Sequence, residues 1–172
     1  GPLLTKFAKN HPGIKFEMCY FDGYTHAVSS EIDIAFLVSG EGKKSSDLMS
    51  LGTVQMRLVA SPEYLRNHGR PAHPTDLIDH KCLSSSSQAL KSNWKFVVNT
   101  LATDYTVNSR LNTPNGEGLL EAALAGLGLA CLPSSIVGHP LSAGLLETVL
   151  DAFPLVPLEA MMTVPVSKLV TY

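Results

Sequence analysis

The sequence predicts an α/β fold, with strands and helices alternating through most of the chain. Three segments carry that expectation. Residues 33–38 (DIAFLV) form a near-continuous apolar run, the pattern of a strand covered on both faces. In residues 54–60, Val54, Met56, Leu58 and Ala60 alternate with Gln55 and Arg57; Ser61-Pro62-Glu63 then supplies a helix cap, a first-turn proline and an acidic group at the positive helix end. Residues 112–133 read as a capped helix followed by a short apolar strand that Pro133 ends.

The remaining elements follow from the same rules. Leu3, Leu4, Phe7 and Ala8 repeat at helical spacing until His11-Pro12-Gly13 stops them. Ile14, Phe16, Met18 and Tyr20 alternate with Lys15 and Glu17, a strand with one buried face. Asp22-Gly23 turns the chain, a short weakly patterned helix spans residues 24–30, and residues 39–46 form a polar loop. After the helix that begins at Pro62, Pro71 and Pro74 make a loop and Thr75-Asp76 starts a helical turn. Cys82-Leu83 is a short strand and Ser84 to Ser87 a loop. Residues 94–98 and 105–111 pair as a hairpin. A helix over 116–125, a strand over 129–132, a helix over 134–137 and strands over 145–150 and 161–164 complete the order. Pro154 and Pro157 mark a second break, so strands 54–60 and 160–164 are the candidate crossings between two lobes.

Composition bounds the function. The chain is 45% hydrophobic and 16% charged, enough to bury a core. With 13 basic and 15 acidic residues its net charge is −2, which excludes gripping nucleic acid by overall field. Cys19, Cys82 and Cys131 are odd in number and lack C-x-x-C spacing, so a reducing compartment is expected. No secretory signal and no apolar run of membrane length is visible, and a soluble cytoplasmic protein without membrane contact is expected.

Enzyme signatures fail one by one. The six histidines form neither H-E-x-x-H nor H-x-H, so no metal is expected. There is no G-x-S-x-G elbow. Gly116-Glu117-Gly118 opens a helix as a dinucleotide fingerprint would, but Glu121 stands where the third glycine belongs. No catalytic residue and no cofactor are expected.

The helix of residues 112–133 holds the most chemistry. Thr113 or Asn115 can cap it, Pro114 or Gly116 can open it, and Leu119, Leu120, Ala123, Leu124 and Leu127 make one apolar face. Gly126 can take the left-handed conformation that closes a helix. Free N–H groups behind a polar loop make an anion site; an ordinary capped helix is the competing reading.

The motifs of this segment extend along the chain. Ala125-Gly126-Leu127-Gly128-Leu129-Ala130-Cys131-Leu132-Pro133 resembles the A-G-L-G-[IL]-A-x-L-P signature in the effector-binding domain of LysR-type transcriptional regulators. Residues 59–65 (VASPEYL) with His68-Gly69-Arg70-Pro71, then Pro74, Asp76-Leu77, His80-Lys81-Cys82-Leu83 and Trp94-Lys95-Phe96, match that family's further motifs in order. Residues around Phe7, His11-Pro12, 32–35 and 144–146 fit as well, so the resemblance covers nearly the whole chain.

The resemblance implies a two-lobed periplasmic-binding-protein-like (type 2) fold with two crossing strands between lobes. Lobe I would hold residues 1–59 and 161–172, and lobe II residues 60–160. The function implied is that of a regulatory domain binding a small-molecule effector in the interlobe cleft and altering oligomer geometry. A homo-oligomer, a dimer in this fragment, is expected, with DNA contacted only through a separate N-terminal helix-turn-helix that this chain lacks. The family's first strand and the full length of its last helix are also expected to lie outside the chain. Two departures touch the site: Leu37 stands where many members carry arginine, and His26-Ala27 where many carry Asp-Leu. One fewer cation leaves an aromatic or neutral ligand open. Strand ends facing such a cleft nominate Phe21, Asp22, Ser39, Gly40, Thr113, Asn115 and Thr163 as effector contacts, against caps, turns or core contacts as the alternative. A solute-binding protein of a transport system, or an enzyme on the same two-lobed fold, are the alternatives for the whole chain.

Overall fold

The computed structural model describes residues 2–19, 32–39, 48–85 and 93–164. Helix α1 spans Pro2–Asn10. Strands β1 (Ala35–Ser39), β2 (Leu48–Val54) and β10 (Leu158–Thr163) form one sheet in the order β1-β10-β2, antiparallel throughout. A second sheet has the order β7-β4-β8-β3-β9, built from β3 (Met56–Ala60), β4 (Cys82–Ser85), β7 (Ser109–Thr113), β8 (Leu129–Pro133) and β9 (Glu147–Thr148). Only its β4–β7 and β4–β8 pairs are parallel. Strands β5 (Asn93–Val98) and β6 (Leu101–Thr106) make a hairpin. Helices α2 (Pro62–His68), α3 (Gly116–Leu124) and α4 (Ser134–Ser142), with a 3-10 turn at Pro74–Ile78, flank the second sheet.

That sheet carries the core on both faces. Met56, Leu58 and Ala60 pack with Leu129, Cys131, Trp94, Phe96 and Tyr64 on one side. Val59, Ala130 and Leu132 pack with Leu83, Leu119, Ala123 and Val137 on the other. Neighbouring residues of β3 and β8 enter opposite clusters because successive strand side chains point to opposite faces. Two local signals behave as the sequence predicts. The Ser61 hydroxyl accepts from the Tyr64 N–H at 3.2 Å, capping α2. Gly126 has φ +73°, and the Leu127 N–H reaches back to the Ala122 carbonyl at 3.0 Å to close α3.

Several expected elements differ. Ile14, Phe16 and Met18 are about half exposed, and residues 14–19 form no ladder among the described residues. Alternation alone cannot make a strand without a neighbour to pair with; Tyr20 and the helix expected at 24–30 lie outside the described residues. The 33–38 run is covered on one face only: Ala35 is buried, whereas Phe36 and Val38 are exposed. The expected strand 105–111 is two strands. Residue Val107 is buried between them, the Asn108 carbonyl accepts from the Cys82 N–H at 3.3 Å, and β7 joins another sheet. Ser84 and Ser85 are strand rather than loop, because pairing with Asn112 and Thr113 supplies their backbone partners. The expected strand 145–150 shrinks to β9, with Leu150 at φ +59°. Leu127 lies past the end of α3 and is exposed, and Ala122 takes its place in the buried face.

The chain passes between the two large sheets twice. Gln55 alone separates β2 from β3. On the return, the Val97 N–H donates to the Pro154 carbonyl and the Val156 N–H to the Lys95 carbonyl, both at 2.8 Å, before β10 begins at Leu158.

Candidate effector site

Strands β4 and β7 run parallel, and both end beside the start of α3. Ser85 stands opposite Thr113 in the register, and Ser84 opposite Asn112. Asn115 is the helix cap: its Oδ1 accepts from the Glu117 N–H at 2.9 Å, while Thr113 Oγ1 accepts from the Asn115 N–H at 3.2 Å. These caps take two backbone donors and do not include the Gly116 N–H. A Cβ on Gly118 would meet the Thr113 side chain at ordinary contact distance, 3.8 Å, so the helix start lies beside the strand end with room for a side chain.

Thus the structure brings Thr113 and Asn115 together and adds Ser85, which is buried at the same strand end. The serine run predicts a loop, whereas Ser84 and Ser85 are strand because β7 supplies their backbone partners. Its signal is position: it directly follows the apolar pair Cys82-Leu83. Among the described residues, the buried Ser84 hydroxyl and the indole N–H of Trp94 have no hydrogen-bond partner.

On the other sheet, Ser39 ends β1 opposite Glu159, whereas Thr163 lies opposite Ala35 at the far end of the same pair. Four residues of strand, about 13 Å, separate these positions. The structure therefore does not bring Ser39 and Thr163 together. Thr163 is 2% exposed, inside the sheet. The Ser39 end is the one next to both chain passages, since Val54 pairs with Leu158 there. Phe21, Asp22 and Gly40 lie outside the described residues.

No group of three or more potential metal ligands occurs among the described residues. None of their helices is long and apolar enough to cross a membrane.

The sequence matches the LysR substrate binding domain family model over residues 1–169. The chain belongs to that family. Among curated proteins it is 29% identical over 143 residues to the HTH-type transcriptional regulator CrgA of Neisseria meningitidis serogroup C, covering 83% of this chain and 48% of that protein. The chain spans about half the length of the curated relatives it matches. The solved regulatory domain of CrgA superposes with a TM-score of 0.74 at 26% identity, covering 96% of this chain and 82% of that one. The regulatory domain of AphB from Vibrio vulnificus superposes at 0.80 with 24% identity, a likeness of fold, over 95% of this chain and 82% of that one. LysR regulatory domains have the two-lobed periplasmic-binding-protein-like fold, and the α/β arrangement described above is that fold. The relatives are transcriptional regulators, not enzymes.

Proposed function

We propose that this LysR domain is the effector-sensing part of a DNA-binding transcription regulator. A small molecule binds where the carboxyl ends of β4 and β7 meet the start of α3. The convergence of Thr113, Asn115 and Ser85 at that point is the observation that supports this reading. Parallel strand ends beside a helix start offer hydroxyls, an amide and backbone N–H groups to a ligand.

In this reading the two large sheets are the cores of the two lobes. The lobes exchange at Gln55 and at Val156-Pro157, a few residues before the sequence boundaries at 59/60 and 160/161. Ser39 belongs to the opposite wall, Phe21, Asp22 and Gly40, outside the described residues, stay proposed effector contacts, and Thr163 serves the sheet interior. Leu37 in place of arginine favours an aromatic or neutral effector over a simple carboxylate. Binding acts by differential affinity for two lobe arrangements, which shifts the geometry of a homodimer. DNA is contacted through a separate helix-turn-helix portion of the regulator.

Calorimetric titration of the chain against a metabolite panel tests this. Saturable, stoichiometric binding without turnover is expected, weakened about ten-fold by Thr113→Val. Product formation, or affinity unchanged in both Thr113→Val and Asn115→Ala, would overturn it. Light scattering should find a dimer; a monomer at high concentration counts against the dimer.

A further inference from the structure

At the amino end of β4, away from Thr113 and Asn115, lies a cavity of about 350 Å³ lined by Ile78, Asp79, His80, Lys81, Asn108 and Arg110. We propose that this cavity is a second ligand site, one that takes a small oxyanion such as a phosphoryl group.

The charges favour an anion. Of the six lining residues Lys81 and Arg110 are cationic and Asp79 anionic, so the lining residues are net positive in a chain whose net charge is −2. Neither cation has a carboxylate partner among the described residues, whose ion pairs are Arg57–Asp151, Arg70–Glu147 and Lys95–Asp104. Two unneutralised cations beside one cavity create a local field that an incoming oxyanion relieves.

The backbone that carries these groups is pinned. The Lys81 N–H donates to Tyr64 Oη at 2.9 Å, and the Lys81 carbonyl accepts from the Leu129 N–H at 2.9 Å. On the facing strand connection, the Asn108 carbonyl accepts from Cys82. Both sides of the cavity are thus tied to the second sheet, so the ordering required when a ligand binds falls on the side chains rather than the backbone.

Hydrogen-bond logic adds a third donor. Tyr64 Oη already accepts from Lys81, so its own proton is available to His80 Nδ1, 3.1 Å away. With Nδ1 accepting, the neutral His80 ring carries its N–H on Nε2. In that tautomer His80, which lines the cavity with Lys81, Arg110 and Asn108, has a ring donor left for a ligand. Lys81 Nζ also lies 3.3 Å from His68 Nε2. That contact requires His68 to accept, which leaves two of the three ammonium protons for a ligand.

The test is a titration of the 172-residue chain with inorganic phosphate at constant ionic strength, read by amide chemical shifts. Saturable shifts confined to residues 78–82 and 108–110 are expected. Arg110→Gln, a change at an exposed side chain that leaves the pinned backbone intact, should raise the Kd at least about five-fold, and Lys81→Met combined with it further. Asp79→Asn should lower the Kd, because it removes the one like charge. Shifts that do not saturate would overturn the proposal. So would shifts at residues 113–117 instead, a Kd indifferent to Arg110→Gln, or binding of duplex DNA without binding of phosphate.

Discussion

Gly128 lies so close to Lys81 that a Cβ on it would stand 2.3 Å from the Lys81 carbonyl oxygen and 3.0 Å from its carbonyl carbon. The same oxygen accepts from the Leu129 N–H at 2.9 Å, so the contact fixes the start of β8 against the start of β4. The obstacle is backbone, which cannot rotate away as a side-chain tip can. Gly128→Ala is expected to cost about 2–4 kcal/mol. In a thermal melt that lowers Tm by roughly 4–16 °C for a chain of this size. Equal melting of variant and wild type would show that β4 and β8 do not approach this closely.

Tyr64 is 1% exposed, stacks on His68 with ring centroids 4.4 Å apart, and accepts from the Lys81 N–H through its hydroxyl. Tyr64→Phe keeps the stacking but leaves a backbone donor in partly buried surroundings. A loss of about 1–3 kcal/mol in urea unfolding is expected. Unchanged stability would mean that the Lys81 N–H reaches water.

Burial holds the His80 imidazole below its ordinary value of 6.5, with the nearby Asp76 charge opposing that shift and His68 reinforcing it. The unfolded chain therefore binds this proton more readily than the folded one. The His80 contribution is fully present above pH 6.5 and is lost as pH falls through the lower folded value. Stability curves of wild type and His80→Gln should diverge below about pH 6.5, with the wild type falling more steeply. Parallel curves from pH 8 to pH 5 would contradict the assignment.

Desolvation pushes the thiols of Cys82 and Cys131 up to about 12, and both are buried in the same cluster. The thiolate is the reactive form, so neither should be labelled by a thiol reagent at neutral pH. Cys19 is exposed. One equivalent of label is expected in the native chain and three in denaturant. Fast native labelling of a second thiol would refute the burial of one of the pair.

Much of the local structure was legible because its causes are local. Ser61-Pro62-Glu63 and Asn115-Gly116 start helices with atoms two or three residues away, and Gly126 ends one through its own backbone freedom. The ordered motifs from residue 59 to residue 133 similarly carried the family, and among them Ser61 is a helix cap, Gly128 a close backbone contact and Trp94 and Phe96 core side chains. Two of the three residues at the candidate site, Thr113 and Asn115, were legible on the same grounds, because they are caps. Ser85 was not, because a serine run looks polar until a neighbouring strand claims its backbone.

The sequence by itself determined that β3 and β8 are apolar strands, where α2 and α3 begin, and to which family the chain belongs. Only the tertiary structure decided which strands become neighbours. Alternation specifies a face but not a partner. So residues 14–19 alternate without a ladder among the described residues, whereas Ser84 and Ser85 do not alternate and are strand. The same reason parts Ser39 from Thr163: antiparallel pairing of segments more than a hundred residues apart puts the two carboxyl ends at opposite edges. Parallel pairing of β4 with β7 likewise places Lys81 and Arg110, 29 positions apart, around one cavity.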